Sequence, residues 1–289
     1  MEKIETFDST LRDGAQAEGI SFSVEDKIKI LKTLDRLGID IIEAGNPGSN
    51  PKDITFFERL KDVKLEHAQL CAFGSTRRSN VKVEDDSNVQ ALLEAGTPAV
   101  AIFGKTSTFH IKKVIRTTLE ENLEMIEDTI AYLTNNDKTV YFDAEHFFDG
   151  YKLDAKYAVD VLKAAERGGA KVLVLCDTNG GTLPMEIHQI ITEIKSQVTA
   201  DIGIHCHNDS GLGVADSLMA VDAGARQVQG TFLGFGERCG NASLSSIIPN
   251  LQLKMGYDCM PEKSLEKLTS SAIRVAEISN YSLTGREPY

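Results

Sequence analysis

The segment GIHCHNDSGLG, residues 203–213, sets His205 and His207 two positions apart in an apolar run. In an extended strand such residues share one face, so both imidazoles point one way while Ile204 and Cys206 point the other. A same-face pair at a strand end can grip one metal ion. The competing assignment is a pair of histidines satisfied by neighbouring polar groups. A divalent ion also wants a carboxylate, and the segment STLRDGAQ offers Asp13 beside Arg12. Alone, that pair reads as a surface salt bridge. Beside the two histidines, Asp13 completes a two-histidine, one-carboxylate set with positions left for water or substrate. Such a set suits Mn2+, Zn2+, Co2+ or Fe2+, and Mg2+ where waters fill the shell. A 2-oxo acid fits the open positions through its carboxylate and keto oxygens. The ion then polarises the carbonyl, and Arg12 stands ready to stabilise the alkoxide formed on attack.

Further polar groups sit at other strand ends. VYFDAEHF places Asp143 and Glu145 on one face, and LVLCDTNGG supplies Asp177, Thr178 and Asn179. GTFLGFGERCGN carries Glu237, Arg238 and Asn241 among four glycines, which serve either as a nest of N–H groups for an anion or as tight turns. In a regular strand His146 faces away from Glu145 and is secondary. His67 and His110 read as surface residues, and His188, in a helical pattern, as structural. Cys239 has no base partner that would make it a nucleophile. Cys71, Cys176 and Cys206 lie in β-like apolar runs and read as small buried hydrophobes.

These residues need a scaffold that brings distant segments together. Short β-rich runs (KIETFD, IDIIEAG, AQLCAFG, AVAIFG, TVYFDAEHF, AKVLVLCDTNG, ADIGIHCH, RQVQGTFLG) alternate with amphipathic stretches such as VEDKIKILKTLDRLG and DAKYAVDVLKAAERGG. The unit recurs about every 30 residues, eight times, which points to a (β/α)8 TIM barrel over residues 1–257. Residues 258–289, a helix over SLEKLTSSAIRVAEI and a polar tail, read as a C-terminal helical appendage. A doubly wound open sheet competes, but no GxGxxG follows the first strand and polar residues gather at many strand ends. The 289 residues are 42% hydrophobic and 26% charged, a globular composition, and none forms a membrane-length apolar run. The start MEKIETFDST is no secretory signal, and a net charge of −12 argues against nucleic acid. The five cysteines show no CxxC spacing and call for no disulfides, so the reading is cytoplasmic.

TLRDGAQAEG, HCHNDSGLGVADSLMAVDAGA and GTFLGFGERCGN together resemble the paired signatures of the 2-isopropylmalate, homocitrate and citramalate synthases. These belong to the metal-dependent barrels that also include 3-hydroxy-3-methylglutaryl-CoA lyase. The resemblance covers essentially the whole chain. EAGNPGSNPKDITFFE and FDAEHFFDGYK are most similar to the citramalate branch. It implies metal ligation by Asp13, His205 and His207, with Asn241 as a further ligand, and Arg12 on the keto oxygen. It places Glu145 and Thr178 on the 2-oxo acid, with Glu145 also catalytic. Gln16 lies at a nearby substrate or metal-water contact, and Asp143 joins the substrate set. The implied reaction condenses acetyl-CoA, as co-substrate, with pyruvate, and the resulting thioester is hydrolysed. This would be a step of isoleucine biosynthesis. A small apolar pocket should take the pyruvate methyl, closed by Leu or Ile near the early strand ends. The resemblance also implies a homodimer, and a longer protein in which NYSLTGREPY leads on to a His-containing segment and a regulatory domain. Sister synthases are the alternatives, as is a lyase or aldolase on the same barrel, for which Cys239 would discriminate. A non-haem Fe(II) oxygenase and a non-catalytic binding module rank below these.

Overall fold

A computed structural model describes residues 1–49, 51–285 and 287–288. Asn50, in the EAGNPGSNPKDITFFE motif, and Arg286 and Tyr289, in the tail, lie outside the described residues. Eight parallel strands close into a barrel in sequence order. They are β1 (Glu5–Asp8), β2 (Ile41–Gly45), β3 (Gln69–Ser75), β4 (Ala99–Lys105), β5 (Thr139–Glu145), β6 (Val172–Asp177), β7 (Asp201–Cys206) and β8 (Gln227–Gly230). Closure is direct: β1 pairs with β8 from Glu5↔Gln227 to Asp8↔Gly230, which excludes the open sheet.

Side-chain alternation explains both layers. Phe7, Ile41, Cys71, Ala101, Tyr141, Val174 and Cys176 fill the barrel interior, where Phe7 meets the Tyr141 ring edge-on at 5.5 Å. Their neighbours Ile42, Ala72, Val100, Phe142, Leu175, Ile204 and Cys206 face outward into the core beneath the helices. At least one helix follows each strand, and the first long one shows how the sequence builds them. In Val24–Leu37, Ser23 and Asp26 form a capping box that satisfies the first free N–H groups. Ile28, Leu31, Leu34 and Leu37 recur every three residues and are buried, each contributing about 2 kcal/mol through lost apolar surface. Gly38 ends the helix at φ 97°, and a Cβ there would lie 2.7 Å from Pro261 Cδ.

The C-terminal segment is two helices where the sequence pattern predicts one. Glu262–Leu265 and Leu268–Ile278 are separated at Glu266 and Lys267. The break turns the second helix onto Val24–Leu37, and Leu268, Ala272 and Val275 join the main core. The first strand is tied to the same region, since Ile4 N–H donates to the Asp258 carbonyl at 2.8 Å. Among the described residues no helix is long and apolar enough to cross a membrane.

At the end of β1, Asp8 is fully buried, with Oδ1 and Oδ2 accepting from the Thr10 N–H and hydroxyl at 2.9 and 3.0 Å. Burial, with the charge of Glu43 adding and the Thr10 bonds opposing, pushes its carboxyl from 3.8 up to about 7. The folded state therefore binds this proton more tightly than the unfolded one. The stability it brings is complete below the ordinary carboxylate range and is lost as pH rises through about 7. Asp8→Asn is expected to flatten that decline, by a few kcal/mol at most, in urea melts of metal-free protein between about pH 5 and about pH 8. Parallel pH profiles for the two proteins would refute this.

Candidate active site

The C-terminal ends of the strands open onto a cavity of ≈ 240 Å³. Asp13, His205 and His207 converge on one wall, their donor atoms all within 4.8 Å of one another, a spacing at which one ion can be shared. Asp13 Oδ2 lies 3.3 Å from His205 Nε2 and 3.7 Å from His207 Nε2. The three come from the loop after β1 and from the end of β7, and all are buried.

The surrounding hydrogen bonds set the rings. Gln229 Nε2 donates to Asp143 Oδ1 at 3.2 Å and to Gln227 Oε1 at 3.1 Å. Its Oε1 is thereby turned to His205 Nδ1, 3.1 Å away, which carries the hydrogen and leaves Nε2 aimed at Asp13. His207 Nδ1 instead faces Arg238 Nη2 at 3.3 Å, a group that can only donate. Coordination through Nε2 asks that hydrogen to move to Nδ1, and Arg238 then keeps the Asp209 carboxylate and the Thr178 carbonyl as acceptors. Asn241 adds a further indication. Its backbone bridges His207, and both its side-chain oxygen and nitrogen are buried without a partner. Each such group costs about 1–3 kcal/mol until something enters to satisfy it. The donor set and the orphaned amide fit a divalent cation.

Charge is balanced around one buried guanidinium. Arg12 Nε donates to Glu43 Oε2 at 2.5 Å, Nη1 lies 3.7 Å from Asp13 Oδ1, and Cζ sits 3.7 Å over the Phe73 ring. Glu43 also accepts from Ser9 Oγ at 2.6 Å. Burial alone would raise the Asp13 carboxyl, but Arg12 and the two histidines outweigh it and hold it far below the usual range. Burial and the charge of Glu43 push Asp143 up to about 7. Burial also drives His207 down to about 4, with the charges of His205 and Arg238 adding and that of Asp13 opposing. Burial opposes charging of His205 as well, yet its bond and charge interaction with Asp13 raise it.

Of the residues singled out in the sequence, the cavity gathers Arg12, Asp13, Gln16, Asp143, Glu145, Thr178, His205, His207 and Glu237. Others fall elsewhere. Asp177 points outward and accepts from Thr182, because alternation along β6 gives the inward positions to Cys176 and Thr178. Asn179 donates to Asp149. The strand stops at Glu145, and His146, at φ 54°, packs its ring 4.3 Å from that of His110, so His110 is half-buried rather than a free surface residue. In GTFLGFGERCGN, Gly230 ends β8, and Gly234 and Gly240 make turns. The N–H groups of Gly234 and Gly240 are spent on the Thr231 and Glu237 carbonyls, and a Cβ on Gly240 would strike Gly234 O at 2.1 Å. Cys239 is exposed.

Sequence reasoning missed Glu43, Gln229 and the wall opposite the histidines. That wall is Phe73 and Phe103, stacked at 5.3 Å, where Leu or Ile was expected. Glu43 left a signal, a polar residue in an inward register of an otherwise apolar strand, and Gln229 shares the inward face of β8 with a second glutamine, Gln227. A neighbouring cavity of ≈ 610 Å³ shares Arg12, Gln16 and Phe73 and is lined further by Lys27, Asn46 and Lys52.

The model of the HMGL-like family matches residues 3–275. Among curated proteins, the chain is 56% identical over 289 residues to an (R)-citramalate synthase of Aquifex aeolicus, covering all of this chain and 55% of that protein. It is 39% identical over 259 residues to a 2-isopropylmalate synthase of Pyrococcus furiosus, covering 88% of this chain and 50% of that one. The chain spans about half the length of the curated relatives it matches. In fold it is similar to a hydroxymethylglutaryl-CoA lyase from Pseudomonas aeruginosa, with a TM-score of 0.81 at 19% identity, covering 99% of this chain and 96% of that one.

Proposed function

This chain belongs to the HMGL-like family, and on that premise we propose that it condenses acetyl-CoA with pyruvate to give citramalate and free CoA. The observation that carries the reading is the buried Asp13, His205 and His207 cluster beside Arg12, in a cavity sized for a small acid and walled by two phenylalanines. The 56% identity to a protein named (R)-citramalate synthase supports pyruvate over bulkier 2-oxo acids.

In this reading Asp13, His205 and His207 hold the divalent ion, Mn2+, Mg2+, Zn2+ or Co2+, with Asn241 as a fourth donor. Once bound, the ion supplies Lewis-acid polarisation of the keto carbonyl. The protein's own groups do the rest. Arg12 donates from its Nη atoms to the keto oxygen as negative charge develops there. Glu145, Thr178, Gln16 and Asp143 orient the acid, and Asp143, near its midpoint at neutral pH, spares the substrate carboxylate a full opposing charge. Phe73 and Phe103 enclose the methyl group. The cavity of ≈ 610 Å³ opening beside Arg12 offers room for the thioester arm of acetyl-CoA. A proton leaves the acetyl methyl as its carbon joins the keto carbon, the resulting alkoxide takes up a proton, and water then cleaves the thioester, releasing CoA. Isoleucine biosynthesis and a homodimer belong to the same proposal and rest on the family resemblance, and a cytoplasmic location rests on the cysteine pattern.

Release of free CoA with a panel of 2-oxo acids tests it. Pyruvate should be preferred; preference for 2-oxoisovalerate or 2-oxoglutarate would move the assignment to a sister synthase. Substrate size should depend on Phe103, which lines both the cavity and a neighbouring space of ≈ 450 Å³ bounded by Val114, Ile115 and Met125 as well as by Arg77 and Lys105. Phe103→Ala is expected to raise kcat/KM for 2-oxobutyrate relative to pyruvate by roughly tenfold, the worth of one or two methylenes in a pocket. An unchanged ratio would count against Phe103 as the wall.

A further inference from the structure

The lining of the catalytic cavity is dominated by carboxylates. Asp13, Asp143, Glu145 and Glu237 face it together with His205, His207 and one guanidinium, that of Arg12, which is already engaged by Glu43. A bound cation would offset Asp13, and burial raises the Asp143 carboxyl. Glu145 is left as an acid in the path of an anionic substrate.

Lys105 closes that gap. The parallel register sets it beside Glu145 at the ends of β4 and β5, and its ammonium forms an ion pair with Glu145 Oε2. Both side chains are less than a quarter exposed, so water screens the pair only in part. The Lys105 carbonyl accepts from Asn122 Nδ2 at 3.0 Å, and Asn122 also donates to Tyr157 at 3.0 Å, which anchors the strand end. Nζ lies 5.5 Å from the centre of the Phe103 ring. The other titratable groups around Glu145 are Asp143 on its own strand, Cys176 on β6, His146 and Asp149 just beyond β5, His110 after β4, and Arg12 and Glu237 across the cavity. Among the described residues, Lys105 is the cation placed in ion-pair contact with Glu145.

We propose that Lys105 is a positioning residue for the substrate: it fixes the Glu145 side chain and offsets its charge, so that Glu145 can orient an anionic 2-oxo acid without repelling it. This rests on the reading of the cavity as a 2-oxo-acid site. Lys105 acts through Glu145, on binding rather than on the chemical step.

The test is calorimetric titration of pyruvate into the Mn2+-loaded protein and its Lys105→Met, Lys105→Arg, Glu145→Gln and Lys105→Met/Glu145→Gln variants, with KM and kcat for the first two. Lys105→Met should weaken pyruvate binding and raise KM by about tenfold or more, with kcat changed less than about threefold. Lys105→Arg should bind within about threefold of wild type, since a cation is restored. In the Glu145→Gln background, removing Lys105 should cost under about threefold. That comparison stands even if Lys105→Met alone fails to fold. An equal loss in both backgrounds, or Lys105→Met binding pyruvate like wild type, would overturn the proposal. Wild-type protein that binds no pyruvate would instead overturn the 2-oxo-acid reading itself.

Discussion

His207→Ala is expected to lose bound metal and turnover together while the barrel stays folded. Among the described residues His207 is one of three converging His and carboxylate donors, and its Nε2 faces Asp13. Loss of even an outer partner of a metal ligand commonly costs 10–100-fold in affinity or activity, so loss of the ligand should cost at least about 100-fold in metal affinity. Turnover should fall by more than about 1,000-fold, because polarisation of the carbonyl goes with the ion. The fold should survive, because β7 is anchored by Ile202, Ile204 and Cys206, which point away from His207 into the outer core. Metal content and circular dichroism, measured on the same sample, separate the two effects. Full activity in chelator-treated His207→Ala protein would remove the ion from the account.

Arg12→Lys should keep the metal and lose the chemistry. The guanidinium does three things that an ammonium cannot do together: it bonds Glu43 through Nε, approaches Asp13 through Nη1 and lies flat on Phe73. Removing a donor aimed at a developing oxyanion typically costs 10²–10³ in kcat, and a drop of about that size is expected. Stability should fall as well. Glu43 is fully buried, and breaking a buried ion pair costs about 3–5 kcal/mol. Lysine, which retains the charge, should show less than that. An unchanged turnover number would show that Arg12 does not face the reacting oxygen.

Much of this site could be read from residue order because strand alternation and barrel topology are strong constraints. Once His205 and His207 sit on one face of a strand, and barrel closure brings the loop after β1 to the same mouth, Asp13 is close to them. The same alternation turned Asp177 outward, although sequence reading grouped it with Thr178. What could not be read was packing across the barrel. Phe73 and Phe103 stack because β3 and β4 pair in one register, and no local pattern distinguishes an aromatic wall from an aliphatic one. Likewise Glu43 sits among apolar neighbours in IDIIEAG, and its partners, Ser9 and Arg12, come from the loop after the adjacent strand β1. The break at Glu266 and Lys267 was hidden for a related reason. The apolar period runs through it, and docking against Val24–Leu37 decides where the chain bends.

The most direct measurement is anomalous diffraction from crystals of the protein soaked with Mn2+ and pyruvate. The expected result is one manganese ion shared by Asp13, His205 and His207, with Asn241 turned toward it. Pyruvate should be chelated at its open positions, its keto oxygen within reach of Arg12 and its methyl against Phe73 and Phe103. Manganese bound elsewhere, or pyruvate lodged away from Arg12 with those three side chains empty-handed, would contradict the account.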